Sequence, residues 1–289
     1  MTESEQIRIL RENIRLLSER GELSWKQREI CVVQLIDRLL PTDTTQTIGS
    51  AYRALCRQLP DLTERDCAAF FLRYVSRLSQ KGGLSPEKIF FPADEAADPQ
   101  SLGRIALVKN RYNEQAYRRL SPSVTGAKEY HVSSFSEACE EVANTRCEYG
   151  ILPMENTRDG RLFGFYGMLD HYELKICAVT SLETDDLQGS TRYALIGRAL
   201  PARIPKNSQW NLEYSVAMPV GEFPHDLLLV SDSFSAKLLK VDSLPVQYDD
   251  QLHRFYFTFR VPKGAAVGYH LYCSQKHTRY TPIGLYPIL

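Results

Sequence analysis

The chain has 289 residues, of which 43% are hydrophobic and 24% charged, an ordinary globular composition long enough for two or three hydrophobic cores. Its 35 basic residues balance its 35 acidic ones, so the overall charge gives no reason to expect binding to nucleic acid or to an anionic membrane. The N-terminus has no apolar signal-peptide core and no segment reaches the length of a membrane span, so we expect a soluble, cytoplasmic protein.

The seven cysteines predict reduced thiols rather than disulfides. They are odd in number, lack CxxC spacing and lie mostly in apolar contexts, which favours buried thiols in a cytosolic protein. The histidines show no metal-binding spacing. We therefore expect neither a metal ion nor a cofactor.

Residues 1–82 carry apolar side chains at helical spacing, beginning with Ile7 and Leu10, and predict an all-α bundle. Start and stop signals support the division into helices, such as Thr63 as an N-cap candidate and Pro41 as a terminator. The predicted helices cover Ile7–Leu17, Ser24–Leu40, Thr47–Leu59 and the stretch from Thr63 to Gly82. Residues 83–102 are rich in proline and aspartate and predict a linker.

From residue 103 to 200 the pattern alternates between strands and helices. The predicted strands are RIALV, YHVSSF, YGILPM and LKICAVTSL, and the predicted helices are Glu114–Leu120, Phe135–Ala143 and FYGMLDHY. This order is typical of a βαβ layer with a mostly parallel sheet. In such sheets ligands bind where strands end at their carboxyl edge, which is where Asn156 and Thr157 fall.

Residues 201–289 predict an α+β unit. LEYSVAMPV, AKLLKVDSLP and the alternating segment HRFYFTFRV read as strands, Asp226–Phe234 reads as a short helix, and PIGLYPIL closes the chain. This order of elements predicts a split βαβ, ferredoxin-like unit.

The segment GILPMENTRDG, residues 150–160, is the strongest candidate for a site. A short apolar run ends in polar side chains at Glu155, Asn156 and Thr157, and Gly160 permits a tight turn. The same residue types also suit a plain strand-turn motif without a ligand, because turn chemistry alone favours them.

Together these segments resemble the prephenate dehydratase family. GRIALVKNRYNEQAYRRL, HVSSFSEACEEVANTRCEYGILPMENTRDG and STRYALIGR correspond to the family's first-strand loop, its P-x-E-N-S/T-x-x-G motif and its T-R-F motif. The resemblance implies that residues 103–200 form one lobe of a periplasmic-binding-protein-like type II fold. It also implies an ACT-type regulatory domain over 201–289, with Asp242 and Ser243 at the family's E-S-R-P position. Residues 1–82 stand where bifunctional relatives carry a chorismate mutase.

The resemblance implies the conversion of prephenate to phenylpyruvate in phenylalanine biosynthesis. The substrate is a dianion that loses carbon dioxide and a hydroxyl group, so a catalyst needs carboxylate-binding donors and a proton donor. Thr191 and Arg192 are the implied catalytic residues, the first as hydroxyl donor and the second as carboxylate ligand. The implied substrate-binding residues are Tyr112, Glu155, Asn156, Thr157 and Tyr193, and the implied regulatory-ligand residues are Asp242 and Ser243.

The chain also departs from the family pattern. Only Glu183–Ser190 separates the last central strand from Thr191, where the family has a complete second lobe. The first-strand loop is replaced by Lys109–Asn113, which keeps only the tyrosine, and Leu244 stands in place of an arginine. These departures argue against dehydratase turnover and against phenylalanine sensing.

Three functional alternatives stay open. The first is a compact prephenate dehydratase in which a neighbouring subunit or the helical region supplies the missing wall. The second is a non-catalytic ligand-binding or regulatory protein of aromatic amino-acid metabolism. The third is a mutase-like pocket among the N-terminal helices, built on cations such as Arg11, Arg15 or Arg28, although helical arginines usually lie on a solvated face. The expected partner is a small carboxylate such as prephenate or an aromatic amino acid, and ACT-like modules imply a homo-oligomer.

Overall fold

The structure is a computed structural model, and it describes residues 3–18, 25–40, 48–81, 87–91, 100–184, 189–246 and 249–289. The chain divides into two compact units that are each discontinuous in sequence. The helical unit comprises Met1–Pro86, Glu222–Ala236 and Gly264–Thr278. The sheet unit comprises Glu87–Gly221, Lys237–Lys263 and Arg279–Leu289. The domains predicted from the sequence, 1–82, 83–102, 103–200 and 201–289, are continuous segments of the chain. This division stays a prediction.

The helical unit contains the predicted N-terminal helices. They are α1 (Glu3–Ser18), α2 (Trp25–Leu39), α3 (Ile48–Gln58) and α4 (Glu64–Lys81), joined by α9 (His225–Ser231) and by most of α10 (Lys263–Lys276). The predicted N-cap at Thr63 is confirmed, because its Oγ1 accepts from the backbone N–H of Asp66 at 3.2 Å. The predicted cap at Ser24 lies outside the described residues.

Aromatic side chains from distant parts of the chain fill the core of the helical unit. The Phe71 ring lies 6.0 Å from the Tyr272 ring, centroid to centroid, and Phe234 stacks on Tyr269 at 5.1 Å. The hydroxyl of Tyr272 donates a hydrogen bond to Glu64 at the start of α4. The N-terminal helices therefore complete their core with residues more than a hundred positions away in sequence.

No helix was predicted between the segments HRFYFTFRV and PIGLYPIL, where the structure has α10. Every residue from Ala266 to Cys273 is buried. A helix that is covered on all sides lacks the amphipathic periodicity by which helices are recognised in sequence, and this is the physical reason for the omission.

The sheet unit is built on one ten-stranded sheet with the order β2-β1-β3-β6-β5-β10-β7-β9-β8, with β4 paired to β3. Its strands are β1 (Arg104–Val108), β2 (Lys128–Val132), β3 (Tyr149–Asn156), β4 (Gly160–Arg161), β5 (Lys175–Thr184), β6 (Gly189–Gly197), β7 (Gln209–Pro219), β8 (Lys237–Val246), β9 (Asp249–Arg260) and β10 (Tyr280–Ile288). The helices of this unit are α5 (Glu87–Phe90), α6 (Arg111–Leu120), α7 (Phe135–Ala143) and α8 (Phe163–His171). Most of the predicted linker lies outside the described residues, and in the part that is described Phe90 and Phe91 are buried.

The sheet as a whole is mixed, but the four strands predicted for residues 103–200, which are β1, β2, β3 and β5, all run in one direction, as predicted. β1 pairs in parallel with β2 and β3, but β6 runs antiparallel between β3 and β5. β5 ends at Thr184 and β6 begins at Gly189, a connection too short for the crossover that parallel strands need. β5 and β6, which follow each other in the chain, are therefore paired antiparallel.

The last strands follow the order β10-β7-β9-β8. β7 is antiparallel to both β10 and β9, and β8 is antiparallel to β9. With α9 after β7 and α10 after β9, this is the element order of a split βαβ, ferredoxin-like arrangement. Its assignment as an ACT-type domain stays a prediction.

Candidate functional site

The segment GILPMENTRDG forms β3, a tight turn and β4. Asn156 pairs with Gly160 across the hairpin, and Gly160 has a positive φ of 72°, as a turn glycine in this position requires. The side chain of Asn156 stabilises the turn by accepting from the backbone N–H of Arg158 at 3.0 Å and donating to Asp159 at 2.9 Å. The predicted turn at Gly160 is confirmed, and the amide of Asn156 makes these bonds within its own hairpin.

β6 brings the second predicted motif alongside the first. Thr191 pairs with Asn156, and Arg192 pairs with Glu155. Thr157 joins this contact, since its backbone N–H donates to Ser190 O at 3.0 Å and its Oγ1 accepts from Ser190 N at 3.1 Å. The two motifs that are about thirty residues apart in sequence are thus neighbours in the sheet.

Thr191 and Arg192 nevertheless point to opposite faces of the sheet, because successive residues of a strand alternate in direction. Arg192 lies on the same face as Ala194 and Ile196, which pack in a core with α8. Thr191 lies on the other face with Tyr193. The predicted catalytic pair is therefore divided between the two faces.

Tyr112 and Tyr193 belong to the face that carries Thr191. Tyr112 lies in the first turn of α6, and Tyr193 is buried in β6. Burial raises the pKa of Tyr193, and the neighbouring Tyr112 raises it further. The phenol of Tyr193 is thus protonated at neutral pH and can act as a hydrogen-bond donor.

Glu155 and Arg192 belong to the face that α8 covers, where they join a row of alternating charges. Glu155 accepts from Lys240 Nζ at 2.8 Å and lies 3.4 Å from Arg192 Nη1. Lys240 is also 3.7 Å from Asp242, which is bound to Arg161. Arg192, Lys240 and Arg161 are thus each already paired with a carboxylate of the protein.

Arg161 is the centre of this row, which we call the Arg161 network: Arg192, Glu155, Lys240, Asp242, Arg161 and Glu213. Its guanidinium is almost completely buried, contacts Glu213 and Asp242, and donates to Thr258 Oγ1 at 2.6 Å. Burial by itself would lower the pKa of Arg161, but Glu213, Tyr166, Asp242 and Tyr286 together outweigh burial and raise the pKa. Arg161 is therefore a fixed positive charge.

Glu213 is a fully buried carboxylate in the middle of β7. Besides Arg161, it accepts from the hydroxyl groups of Tyr166 and Tyr286, each at 2.6 Å. Burial raises the pKa of both tyrosines, and the charge of Glu213 raises it further. A buried carboxylate needs this number of donors to offset the loss of its hydration.

The predicted regulatory pair also separates. Asp242 contacts Arg161, whereas Ser243, the next residue of β8, is exposed and faces the opposite side of the strand. Asp242 thus contributes its carboxylate to the Arg161 network.

The sequence interpretation missed Arg161, Glu213 and Lys240. A signal was present for two of them: Arg161 directly follows the glycine of the motif, and Glu213 interrupts an otherwise apolar strand. A charged residue at a position that a strand pattern predicts to be buried requires a partner. Lys240 has no such signal, because its contact with Glu155 depends on the tertiary structure.

The third open alternative concerned the helical unit, where Arg8, Arg11, Arg15 and Arg28 do line one groove of about 500 Å³. Arg28 is buried and makes two hydrogen bonds to Asp66, at 3.0 and 2.7 Å. Arg15 contacts Glu12 at 2.7 Å. Part of the positive charge in this groove is therefore neutralised by the protein itself.

Within the described ranges, no group of three His, Cys, Asp or Glu side chains is placed to hold a metal ion. No helix among these same residues is both long and apolar enough to cross a bilayer.

Residues 108–187 match the family model of prephenate dehydratase. This segment of the chain therefore resembles the prephenate dehydratases. The matched segment includes Tyr112 and the motif Glu155–Thr157, and it ends before Thr191. No curated protein sequence matches the chain.

Two solved structures resemble this prephenate dehydratase-like chain. The X-ray structure of prephenate dehydratase from Streptococcus mutans superposes with a TM-score of 0.54 at 16% identity, covering 64% of this chain and 98% of that chain. GqqA, described as a novel type of quorum-quenching acylase, gives a TM-score of 0.50 at 16% identity, with 64% and 94% covered. At such low identity these likenesses show a shared fold.

Proposed function

We propose that this prephenate dehydratase-like protein binds a small carboxylate of aromatic amino-acid metabolism and does not dehydrate prephenate. The observation that carries the proposal is the division of Thr191 and Arg192 between the two faces of the sheet. A dehydratase must place a proton donor and a carboxylate ligand on one substrate at the same time. A threonine on one face and an arginine on the other cannot hold the same small molecule.

The pairing of the charged residues supports the same proposal. Arg192 and Lys240 share Glu155, and Arg161 is held between Glu213 and Asp242. A dianionic substrate at Arg192, Lys240 or Arg161 would have to displace a protein carboxylate from the cation that it contacts. Electrostatic catalysis depends on donors that are oriented and available before the substrate arrives.

The proposal is tested by incubating prephenate with an excess of the purified protein at neutral pH and measuring phenylpyruvate. We expect phenylpyruvate to form no faster than in buffer alone, both with the wild type and with Thr191→Ala. Turnover in the wild type that is lost in Thr191→Ala but kept in Ser243→Ala would contradict the proposal. Calorimetry with prephenate, chorismate and phenylalanine tests the binding role, and we expect saturable binding of at least one of them.

A second candidate is an anion-binding, mutase-like groove in the helical unit. Arg8, Arg11 and Arg15 lie on one face of α1, at spacings of three and four residues, and line the groove with Arg28. If the groove converts chorismate to prephenate, Arg11→Ala should abolish the conversion while Arg57→Ala, at the end of α3 and outside the groove, leaves it unchanged. Absence of any conversion by the wild type removes this candidate.

The homo-oligomer implied by the ACT-like region belongs to the proposal as well. Light scattering coupled to gel filtration measures the mass in solution, and a mass of 33.0 kDa, that of one chain, would contradict it.

A further inference from the structure

A cavity of about 400 Å³ lies in the sheet unit between α8 and the strands β7, β9 and β10. We call it the α8 cavity. Its apolar wall includes Leu169, Leu174 and Ile283, all of them buried, and its size is within the range of small-molecule sites. None of the side chains predicted to bind substrate lines it.

The α8 cavity is lined by the cations Lys175, Arg198 and Arg254, against the carboxylates Asp170 and Glu173. Lys175 and Arg198 are half-buried, and neither forms an ion pair with any residue that the structure describes. Arg254 lies 3.7 Å from Asp170, which is largely exposed. Both lining carboxylates are exposed to solvent, so the cations are the more buried of the charged side chains that line the cavity.

Lys175 is a half-buried cation of this cavity. Its ammonium group lies 5.5 Å from the centre of the Phe90 ring, and burial lowers its pKa, although the charge of the exposed Glu173 opposes this effect. A half-buried ammonium that forms no ion pair with a carboxylate is a position that an anionic ligand would stabilise. Arg198, at the end of β6 beside the start of β5, supplies a planar donor suited to bidentate carboxylate binding.

The rings of Tyr166 and Tyr256 line the wall formed by α8 and β9. The Tyr256 ring is 5.3 Å from the Tyr166 ring and 5.8 Å from the Phe163 ring, measured between centroids. The hydroxyl of Tyr166 is held by Glu213, which fixes its ring at the wall of the cavity. Rigid aromatic walls favour ligands with a ring or a short alkyl chain.

We propose that the α8 cavity binds a small organic carboxylate that carries an aromatic ring or a short alkyl chain, with the carboxylate on Lys175 and Arg198 and the apolar part against Tyr256 and Leu169. This inference rests on the proposed binding role and adds the place where the ligand sits. The site differs from the one implied by the family motifs, because it is built around α8 rather than at the ends of β3 and β6.

The test uses 3-phenylpropionate as the probe, its neutral amide as the matched ligand, and calorimetry on the full chain. We expect saturable binding of the acid and binding of the amide that is at least about tenfold weaker, as the loss of a charge-assisted hydrogen bond predicts. Arg198→Gln and Lys175→Met should each weaken binding of the acid by about tenfold or more. Arg198→Lys, which keeps the positive charge, should retain part of the affinity for the acid.

Arg260→Gln is the control, because Arg260 is exposed, lies on β9 in the same unit and does not line the cavity. It should bind the probe as the wild type does. Unchanged binding in Arg198→Gln and Lys175→Met, equal binding of acid and amide, or no binding by the wild type overturns the site. Turnover of prephenate would overturn the proposed function while leaving this site, so the two failures are distinguishable.

Discussion

Arg161 is the residue on which the interior of the sheet unit depends most. Its buried guanidinium contacts Glu213 and Asp242, and its Nη1 donates to Tyr166 at 2.7 Å. An ion pair of this kind need not add much net stability, since desolvation opposes the attraction. Removing one partner is costly, however, because it leaves the other charge buried without compensation.

We therefore expect Arg161→Ala to lower the free energy of unfolding by about 3–5 kcal/mol, measured by urea denaturation. Arg158→Ala is the matched control on the same hairpin; its side chain is exposed, and the change should stay within about 0.5 kcal/mol. The double variant Arg161→Met with Glu213→Leu should recover much of the lost free energy of unfolding, because it removes both the guanidinium and the carboxylate. Equal midpoints for Arg161→Ala and Arg158→Ala would contradict this account.

A second residue-scale prediction concerns pH. The hydrogen bond with His277, at 2.9 Å, lowers the pKa of Asp226 in the helical unit. A lowered carboxyl pKa stabilises the folded state fully above the unfolded value of about 3.9, and this stabilisation is lost as the pH falls through the lower folded value. The gap in urea midpoint between the wild type and Asp226→Asn should therefore shrink below about pH 4.

Asp232→Asn is the control for this titration, since Asp232 is exposed in the same stretch of chain. Its urea midpoint should follow the wild type at every pH. Parallel curves for Asp226→Asn and the wild type down to about pH 2 would show that the pair does not contribute as described.

At the scale of elements, the sheet must curl for the Arg161 network to form. Five strands separate β3 from β8 in the sheet order, yet Glu155 of β3 contacts Lys240 of β8. Sheets accumulate twist from strand to strand, and bulges increase it. Irregular registers occur here between Pro153 and Glu155 on β3 and between Ile176 and Ala178 on β5, at positions suited to that bend.

The start of α6 carries a second element-scale prediction. Asn110 is the N-cap of this helix, and its Oδ1 accepts from the backbone N–H of Asn113 at 2.9 Å. Asn110→Ala should lower the free energy of unfolding by about 1 kcal/mol, whereas Asn110→Asp should keep most of the stabilisation by the cap. Urea denaturation measures both, and an aspartate variant as unstable as the alanine variant would argue against capping as the cause.

For the whole molecule, the helical unit depends on residues from the C-terminal region. Tyr272 is fully buried, packs on Phe71 of α4 and donates a hydrogen bond to Glu64. Deleting a large buried aromatic side chain typically costs about 3–5 kcal/mol. The stability of the N-terminal helices should therefore respond to a change about two hundred residues away in sequence, like any non-local core contact.

We expect Tyr272→Ala to raise hydrogen exchange of the α4 amides, while Tyr272→Phe, which loses only the hydroxyl, costs about 1 kcal/mol. The exchange of β1 amides in the sheet unit serves as the internal reference. Unchanged protection of α4 in Tyr272→Ala would show that the helices hold their core without the C-terminal segment.

The sequence by itself determined the local structure and the family resemblance. Apolar periodicity predicted most helices and strands, and Thr63 and Gly160 marked a cap and a turn that the structure contains. The motifs of residues 103–200 indicated the resemblance to prephenate dehydratase, whose family model matches residues 108–187. These features depend on a few neighbouring residues, which is why one sequence suffices to recognise them. The placement of Thr191 and Arg192 on opposite faces of the sheet also follows from the alternation of side chains along a strand, so it can be inferred from the sequence.

The tertiary structure alone decided which charges meet and which helices share a core. Lys240 reaches Glu155 only because the sheet curls, and α10 is hidden from sequence analysis because it is covered on all sides. The α8 cavity likewise gathers Lys175 of β5, Arg198 directly after β6, and Tyr256 of β9. Contacts between distant segments depend on register and curvature summed over many residues, and no local pattern carries that information.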